Sequence, residues 1–489
     1  MSLSSALSTA QSIFNNSGTQ SSVVSKNIAN AQNPDYVRRS AMVVTGGNGA
    51  MIGDIVRSQN APLLRQTIES SSVASGQRTL LNGLESIKNL MGGNNNEFSP
   101  AKLITAFRNN LDAFASKAND TGLGMAVISS AQDLASGLNT AANELQQIRK
   151  DADEQIKQNV DDLNALLAKL EAVNNQVKNA TASGADANDA LDEREGLVKK
   201  ISEIVGVTSY IRENNDLVLY TSDGVTLFES VPRKVTFQPT AGFDAATTGS
   251  GVYIDGVALK AGESANTTAK GSIQALLQLR DEIAPTFQSQ LDEIARGLIT
   301  AFAETGPDGT LTPLTGLFTY KDSAGVQQTA VPAAGVTVPG LASRILVNPI
   351  VVPPTGTPDK LRDGGINGVA YVVNTGGSSY GDLLDKYNEN LEGPMAFDPD
   401  TEIADAPDLL SFASDSMGWL EQLRSTATSA DETKTAMLTR SLEAYSSNTG
   451  VSLDEELSLL LDIEQSYKAG TKLMATVDEM MQALLDIAS

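Results

Sequence analysis

The 489-residue chain contains neither cysteine nor histidine. Disulfides, thiol nucleophiles, Ser-His-Asp relays and nearly all zinc sites are excluded with those two residues. Catalysis, if any, would have to run on carboxylates, Lys, Tyr or Ser. Aromatics are sparse at 5%, with a single Trp. No apolar run approaches the roughly 20 residues of a membrane-crossing helix. Positive charge is short as well: 35 Lys and Arg face 59 Asp and Glu, a formal net charge of -24, which argues against a general binder of nucleic acid or anionic membranes. Met1 to Phe14 has no cationic start and no solid apolar stretch, so no cleavable secretory signal is expected there.

What the chain does have is helical periodicity at both ends. Leu3, Leu7, Ala10, Phe14, Ser17, Ser21, Val24, Ile28 and Ala31 recur at alternating steps of four and three, as do Leu460, Ile463, Tyr467, Gly470, Met474, Val477, Met481, Leu484 and Ala488. Such spacing is a coiled-coil seam. Chain ends are usually the least ordered part of a domain, so two seams placed there need partners, from each other or from other copies. Charge favours the pairing weakly: residues 1–60 are slightly basic, while residues 453–489 carry eight Asp and Glu against two Lys.

Between the ends, Val37 to Val44 alternates like an extended segment and is followed by a turn at Gly46 to Gly49. Helical spacing is expected from Gln77 to Gly92, again after Ser99 and Pro100, and for a long stretch from about Met125 to Ser183, with Ala190 to Val205 returning along it. Short strands are expected at 207–210, 217–221, 225–228, 235–237 and 252–254, with Asp223-Gly224 and Asp255-Gly256 as turns. Ser272 to Glu304 is helical, with Pro285 at a kink or first turn, and is expected to dock back on a helical stalk. Gly306 to Pro407 reads as β structure with long loops, and Leu409 to Ala427 and Glu432 to Tyr445 as helices. Ser452 with Glu455 is a capping pair ahead of the last helix.

The expected fold class is therefore α+β multidomain: an elongated α-helical coiled-coil core formed by the N- and C-terminal regions, with inserted β-rich domains. Residues 1–60 and 450–489 would form a terminal coiled-coil assembly domain. Residues 61–205 and 405–449, with 271–304, would form a helical stalk, 206–270 a β-rich insertion and 305–404 a second β-rich outer domain.

The string Asn27-Ile28-Ala29-Asn30-Ala31-Gln32-Asn33-Pro34-Asp35-Tyr36, followed by Arg38 and Arg39, resembles the N-terminal signature of the bacterial flagellar axial proteins of rod, hook and hook-associated type. That family usually has Gly where this chain has Asp35, a residue that tolerates left-handed backbone. Gly450-Val451-Ser452-Leu453-Asp454-Glu455-Glu456, Tyr467, Thr476 to Met480 and Leu484 to Ile487 resemble the C-terminal helix of the same proteins. Leu191 to Val198, and Gly271 to Leu277 with Arg280 and Asp281, are similar to the hook-associated branch at the hook–filament junction.

The resemblance implies a structural, non-enzymatic subunit of a helical ring, exported unfolded through the flagellar type III apparatus and extracellular. It implies hook protein, hook-associated protein 3 and a cytoplasmic chaperone on the C-terminal helix as partners, with no cofactor, no metal, no nucleic acid and no membrane insertion. Hook protein or hook-associated protein 3 itself is the alternative, and a secreted carboxylate-dependent hydrolase the remote one; acidic pairs such as Asp454 and Glu455 are the ordinary answer to a helix dipole. No catalytic residue is expected. The assembly interface is expected at Leu3, Leu7, Phe14, Val24, Ile28, Asn27, Asn30, Tyr36 and Arg38, and at Leu460, Ile463, Tyr467, Met474, Val477, Met481 and Leu484. Arg38 and Arg39 stand as either partners for acidic groups or a solvated pair, and Asn27 and Asn30 as capping and turn residues.

Overall fold

A computed structural model describes residues 3–46, 49–403 and 406–488, with no side-chain account of Ala488. Met1, Gly47 and Asn48 of the expected turn, Ala404 and Asp405 at the expected domain limit, Ser489 and the Ala488 seam contact thus lie outside the description.

In chain order, helix α1 (Leu3–Ala29) leads into a hairpin of β1 (Arg39–Gly46) and β2 (Gly49–Arg57), then α2 (Ala61–Leu90), α3 (Pro100–Ser116), α4 (Thr121–Ser183) and α5 (Asn188–Ile204). Strands β3 (Val207–Ile211), β4 (Leu217–Thr221), β5 (Thr226–Glu229), β6 (Val231–Pro232), β7 (Val235–Thr236), β8 (Tyr253–Ile254) and β9 (Val257–Ala258) follow. Next come α6 (Ser272–Gln278), α7 (Ala284–Ala301), strands β10 (Phe318–Lys321), β11 (Gln327–Gln328) and β12 (Ile345–Val347), and helices α8 (Asp359–Asp363), α9 (Asp382–Glu392), α10 (Leu409–Thr449) and α11 (Leu453–Ala488).

The chain divides into two units: residues 1–75, 161–235 and 433–489 form the first, and 76–160 and 236–432 the second. In the first, β3, β4, β5 and β6 form an antiparallel sheet in that order, with Tyr210 opposite Val218 and Leu219 opposite Phe228. The β1–β2 hairpin pairs Arg39 with Arg57 at its base and carries a bulge at Met42/Val43. An isolated two-stranded ribbon is marginal in water, and this one is held against α1, where Asn16 donates to Ala50 O and accepts from Ile52 N.

The second unit is organised by the helix from Ser272 to Ala301 lying on residues 121–160 of α4, the docking expected for that segment. Gln146 donates to Gln288 at 2.8 Å, Arg149 to the Arg280 carbonyl at 3.0 Å, and Arg280 pairs with Asp153 at 2.5 Å with both side chains buried. Pro285 causes no sharp break. A π-turn at Leu279–Ile283 precedes it, which relaxes the α-helical register where Pro has no N–H to give. Phe107, Phe302, Phe318 and Tyr387 close the core, with ring centroids 5.0 to 5.6 Å apart.

Several elements differ from the expectation. Strand β2 was not expected, nor was the first half of α2, which begins at Ala61 and not near Gln77. Ser70, Ser71 and Ser72 interrupt the apolar period there, yet Ser71 and Ser72 are buried, and Ser71 donates to Glu203. α10 runs unbroken through 428–431. Between 305 and 404 the sheet is confined to β10, β11 and β12, and α9 buries Leu383, Leu384, Tyr387 and Leu391 on one face. Asp35 is not among the left-handed residues; its carboxylate pairs with Lys199 at 3.4 Å. The Asp255-Gly256 turn is as expected: both residues have positive φ between paired Ile254 and Val257. Among the described residues no helix is long and apolar enough to cross a membrane, and no group of three His, Cys, Asp or Glu could hold a metal.

Candidate assembly site

α1 and α11 pack along their seams. Among the described residues α1 buries Ala10, Ser17, Val23, Val24 and Asn27, and α11 buries one position per heptad, Glu456, Ile463, Gly470 and Val477, seven residues apart. At Gly470 the helices approach closely: a Cβ there would lie 2.9 Å from Ile13 Cγ2. Phe14 and Tyr467 meet edge to face at 5.1 Å. On α11 most of the other half of the seam remains open to solvent: Tyr467 is 51% exposed, Met474 40%, Met481 46% and Leu484 56%. With Leu3, Leu7, Phe14 and Val477, Met474 and Met481 border an apolar groove of about 850 Å³. Leu3, Phe14, Ile28 and Leu460 are half-buried, Leu7 is exposed, and Val24, Ile463 and Val477 are buried.

The signature residues form a different kind of site. Asn27 sits at the end of α1, buried, and its amide is fully used: Nδ2 donates to Arg39 O at 2.8 Å and Glu456 Oε2 at 3.0 Å, while Oδ1 accepts from Tyr36 Oη at 2.8 Å and Arg39 N at 3.1 Å. Glu456, fully buried, also accepts from Arg38 Nε at 2.6 Å, and Arg38 N donates to Thr449 O. Asn30 caps the turn, its Nδ2 donating to Lys26 O. Asn27, Tyr36 and Arg38 thus have partners within the chain, and Arg38 and Arg39 both pair with acids here.

Arg39 lies over the Tyr36 ring, 4.8 Å from its centroid, and pairs with Asp192 at 2.8 Å and Asp189 at 2.6 Å. Arg57, opposite it at the hairpin base, bonds Asp192 and, at 3.0 Å, Glu195, which also accepts from Tyr445 Oη at 3.0 Å. Burial pushes the Tyr445 and Tyr36 phenols up, so both remain donors at neutral pH. Burial also opposes the charge on both guanidiniums, and their carboxylate partners more than restore it. The Leu191 to Val198 motif therefore supplies the acids that hold the hairpin and, through Arg39 and Asn27, the start of α11. Glu456, Asp192, Glu195 and Arg57 were not singled out from sequence. The only local signal of the three acids was membership of the quoted motifs, and Arg57 had none, since the partners are distant in sequence, Arg39 and Asp192 being 153 residues apart.

A family model described as flagellar hook-associated protein FlgK helical domain matches residues 84–313, and one described as flagellar basal body rod FlgEFG protein C-terminal matches residues 443–487. Flagellar hook-associated protein 1 of Salmonella typhimurium is 25% identical over 313 residues, covering 61% of this chain and 56% of the relative. Its namesake in Escherichia coli K12 is 23% identical over the same length. The chain thus spans little more than half the length of the curated relatives it matches. Among solved structures, the flagellar hook junction protein FlgK from Burkholderia pseudomallei has the same fold, with a TM-score of 0.52 at 14% identity over 78% of this chain and 99% of that one.

Proposed function

We propose that this chain belongs to the flagellar hook-associated protein 1 family and is a structural subunit of the junction between hook and filament, built by self-assembly of its terminal helices. The observation that carries the reading is the half-open seam: α1 and α11 satisfy each other on one side and leave Tyr467, Met474, Met481 and Leu484 exposed on the other. A contiguous apolar face of that size favours a protein neighbour. Neighbouring copies in a ring, with hook protein and hook-associated protein 3 at its two faces, would cover it. Leu3, Leu7, Phe14 and Leu460 take part in that cover. Asn27, Asn30, Tyr36 and Arg38 act one step back, by fixing the direction in which the pair leaves the rest of residues 1–60 and 450–489. Before assembly the same apolar helix suits a cytoplasmic chaperone, and export through the flagellar type III apparatus would deliver the chain outside the cell. The role is structural, and no catalytic step is assigned to it.

Met474→Lys combined with Met481→Lys in the full chain tests this in a strain lacking the native gene. Both sites are exposed, so the monomer should unfold within about 1 kcal/mol of wild type. Cells should carry hooks without filaments and release the protein to the medium. Normal filaments and motility would refute the proposal.

A further inference from the structure

Arg194, on α5, differs from the other buried arginines of the first unit. Only its Nη1 is engaged, donating to Asn174 Oδ1 at 3.0 Å and to the Asn215 carbonyl. Among the described residues its Nε and Nη2 have no acceptor, and no carboxylate lies within ion-pair distance, although the side chain is 5% exposed. Burial, joined by the neighbouring Arg57 charge, pulls its pKa down to about 10 against the opposing attraction of Glu195 and Asp216. Arg39 and Arg57, close by in the same unit, each have two carboxylates.

Arg194 lines a cavity of about 250 Å³ whose apolar wall includes Leu64, Val198 and Leu217, whose charged lining also holds Glu195, neutralised by its pairing with Arg57 at 3.0 Å, and whose rim carries the exposed Arg65. The same cavity is bordered by Ser209 and Ile211 of β3, the edge strand of its sheet. Ser222 N donates to Gly206 O and Arg212 N to Asp216 O. The antiparallel alternation then turns the backbone groups of Thr208 and Tyr210 toward β4 and those of Ser209 and Ile211 outward. An unpaired guanidinium, an apolar wall and an open strand edge meet at one place.

We propose that this cavity receives an extended segment of another polypeptide, with an Asp or Glu side chain and an apolar side chain two residues away on the same face. Its backbone adds a strand outside β3, its carboxylate takes the Arg194 Nε and Nη2 donors as a fork, and the apolar side chain packs on Leu64 and Leu217. The alternation of a strand presents both side chains to one side, which a helical or compact ligand of the same charge would not do. Arg65 at the rim adds a second positive charge for the approach of an acidic segment.

The test uses the full chain and an acetylated, amidated heptapeptide with threonine at the odd positions and valine, glutamate, valine between them. Calorimetric titration should give a dissociation constant below about 1 mM, weakened about tenfold or more when glutamine replaces the glutamate. Nitrogen-15 spectra should show the Arg194 Nε–H signal moving with the titration. Ile211→Pro removes an outward N–H without costing a bond to β4, and Leu64→Trp fills the cavity while leaving Arg194 and its partners in place; each should abolish binding with an unchanged unfolding midpoint. Free hexanoate should bind at least about tenfold more weakly than the peptide. Failure of the wild-type chain to bind, unchanged binding by Ile211→Pro, or hexanoate binding as tightly as the peptide would each overturn the proposal.

Discussion

Replacing Glu456 by Ala tests how much of the terminal pair's order comes from the polar cluster and not from the seam. The carboxylate is fully buried and accepts from Arg38 Nε at 2.6 Å and Asn27 Nδ2 at 3.0 Å. A hydrogen bond to a charged group is worth about 1.5–3 kcal/mol, and removing one partner of a fully buried pair costs about 3–5 kcal/mol. Arg38 is not fully buried, at 29% exposure, and keeps Glu455 at 3.5 Å, so part of its charge can turn to water. Asn27 keeps one of its two donor contacts, to Arg39 O. The expected loss is therefore on the order of 2–4 kcal/mol, felt locally. Native-state hydrogen exchange reads it directly. The amides of Arg38, which donates to Thr449 O, and of Glu456, which donates to Ser452 O, should open more easily by that amount, while those of α7 in the second unit should not change. A shift below about 0.5 kcal/mol at residue 38 would show that the cluster is incidental and the seam alone orders the ends.

Two further outcomes are expected. Gly470→Leu would drive a side chain into Ile13, 2.9 Å from where its Cβ must stand, and should cost about 1–3 kcal/mol, lowering terminal-helix content by circular dichroism; full retention of helix would contradict the close approach. In the second unit, Asp292 accepts from Gly340 N, Ala342 N and Gln288 Nε2, yet burial carries its pKa to about 7. The folded value lies above the unfolded value of about 3.9, so the native state binds this proton more tightly. Its contribution, about 4 kcal/mol at most, is present below about pH 4 and is lost as pH rises through about 7. Carbon-13 titration of the carboxyl checks the value, and Asp292→Asn should flatten the slope of urea stability between those limits. A carboxyl titrating near its ordinary value would refute the assignment.

The ends were legible because their signal is periodic and local: steps of three and four mark α1 and α11, and Ser99-Pro100 and Asp255-Gly256 announce a helix start and a tight turn by their own backbone preferences. The first half of α2 was not legible, because Ser71 and Ser72 are buried by packing against segments distant in the chain, Ser71 with a bond to Glu203, and no window of sequence contains those neighbours. The same holds for the cluster. The strings around Asn27, Asp192 and Glu456 could each be picked out as resembling a family, but only the fold brings them within 3 Å of one another's partners. Which half of each seam would be covered was also beyond reach, since the covered half holds the small Ala10, Ser17 and Gly470 and the open one the larger Tyr467, Met474 and Met481, the reverse of what apolar size alone suggests.

The fully occupied amide of Asn27 leaves that position almost no mutational freedom. Aspartate would set a second anion against Glu456, leucine would strand four polar atoms, and glutamine would overshoot by a methylene. Even the double exchange Asn27→Asp with Glu456→Gln, at sites 429 residues apart, would restore only the contact between the two side chains and set a carboxylate oxygen against the Arg39 carbonyl. The junction of the first and last helices is thereby tied to one amide and one carboxylate.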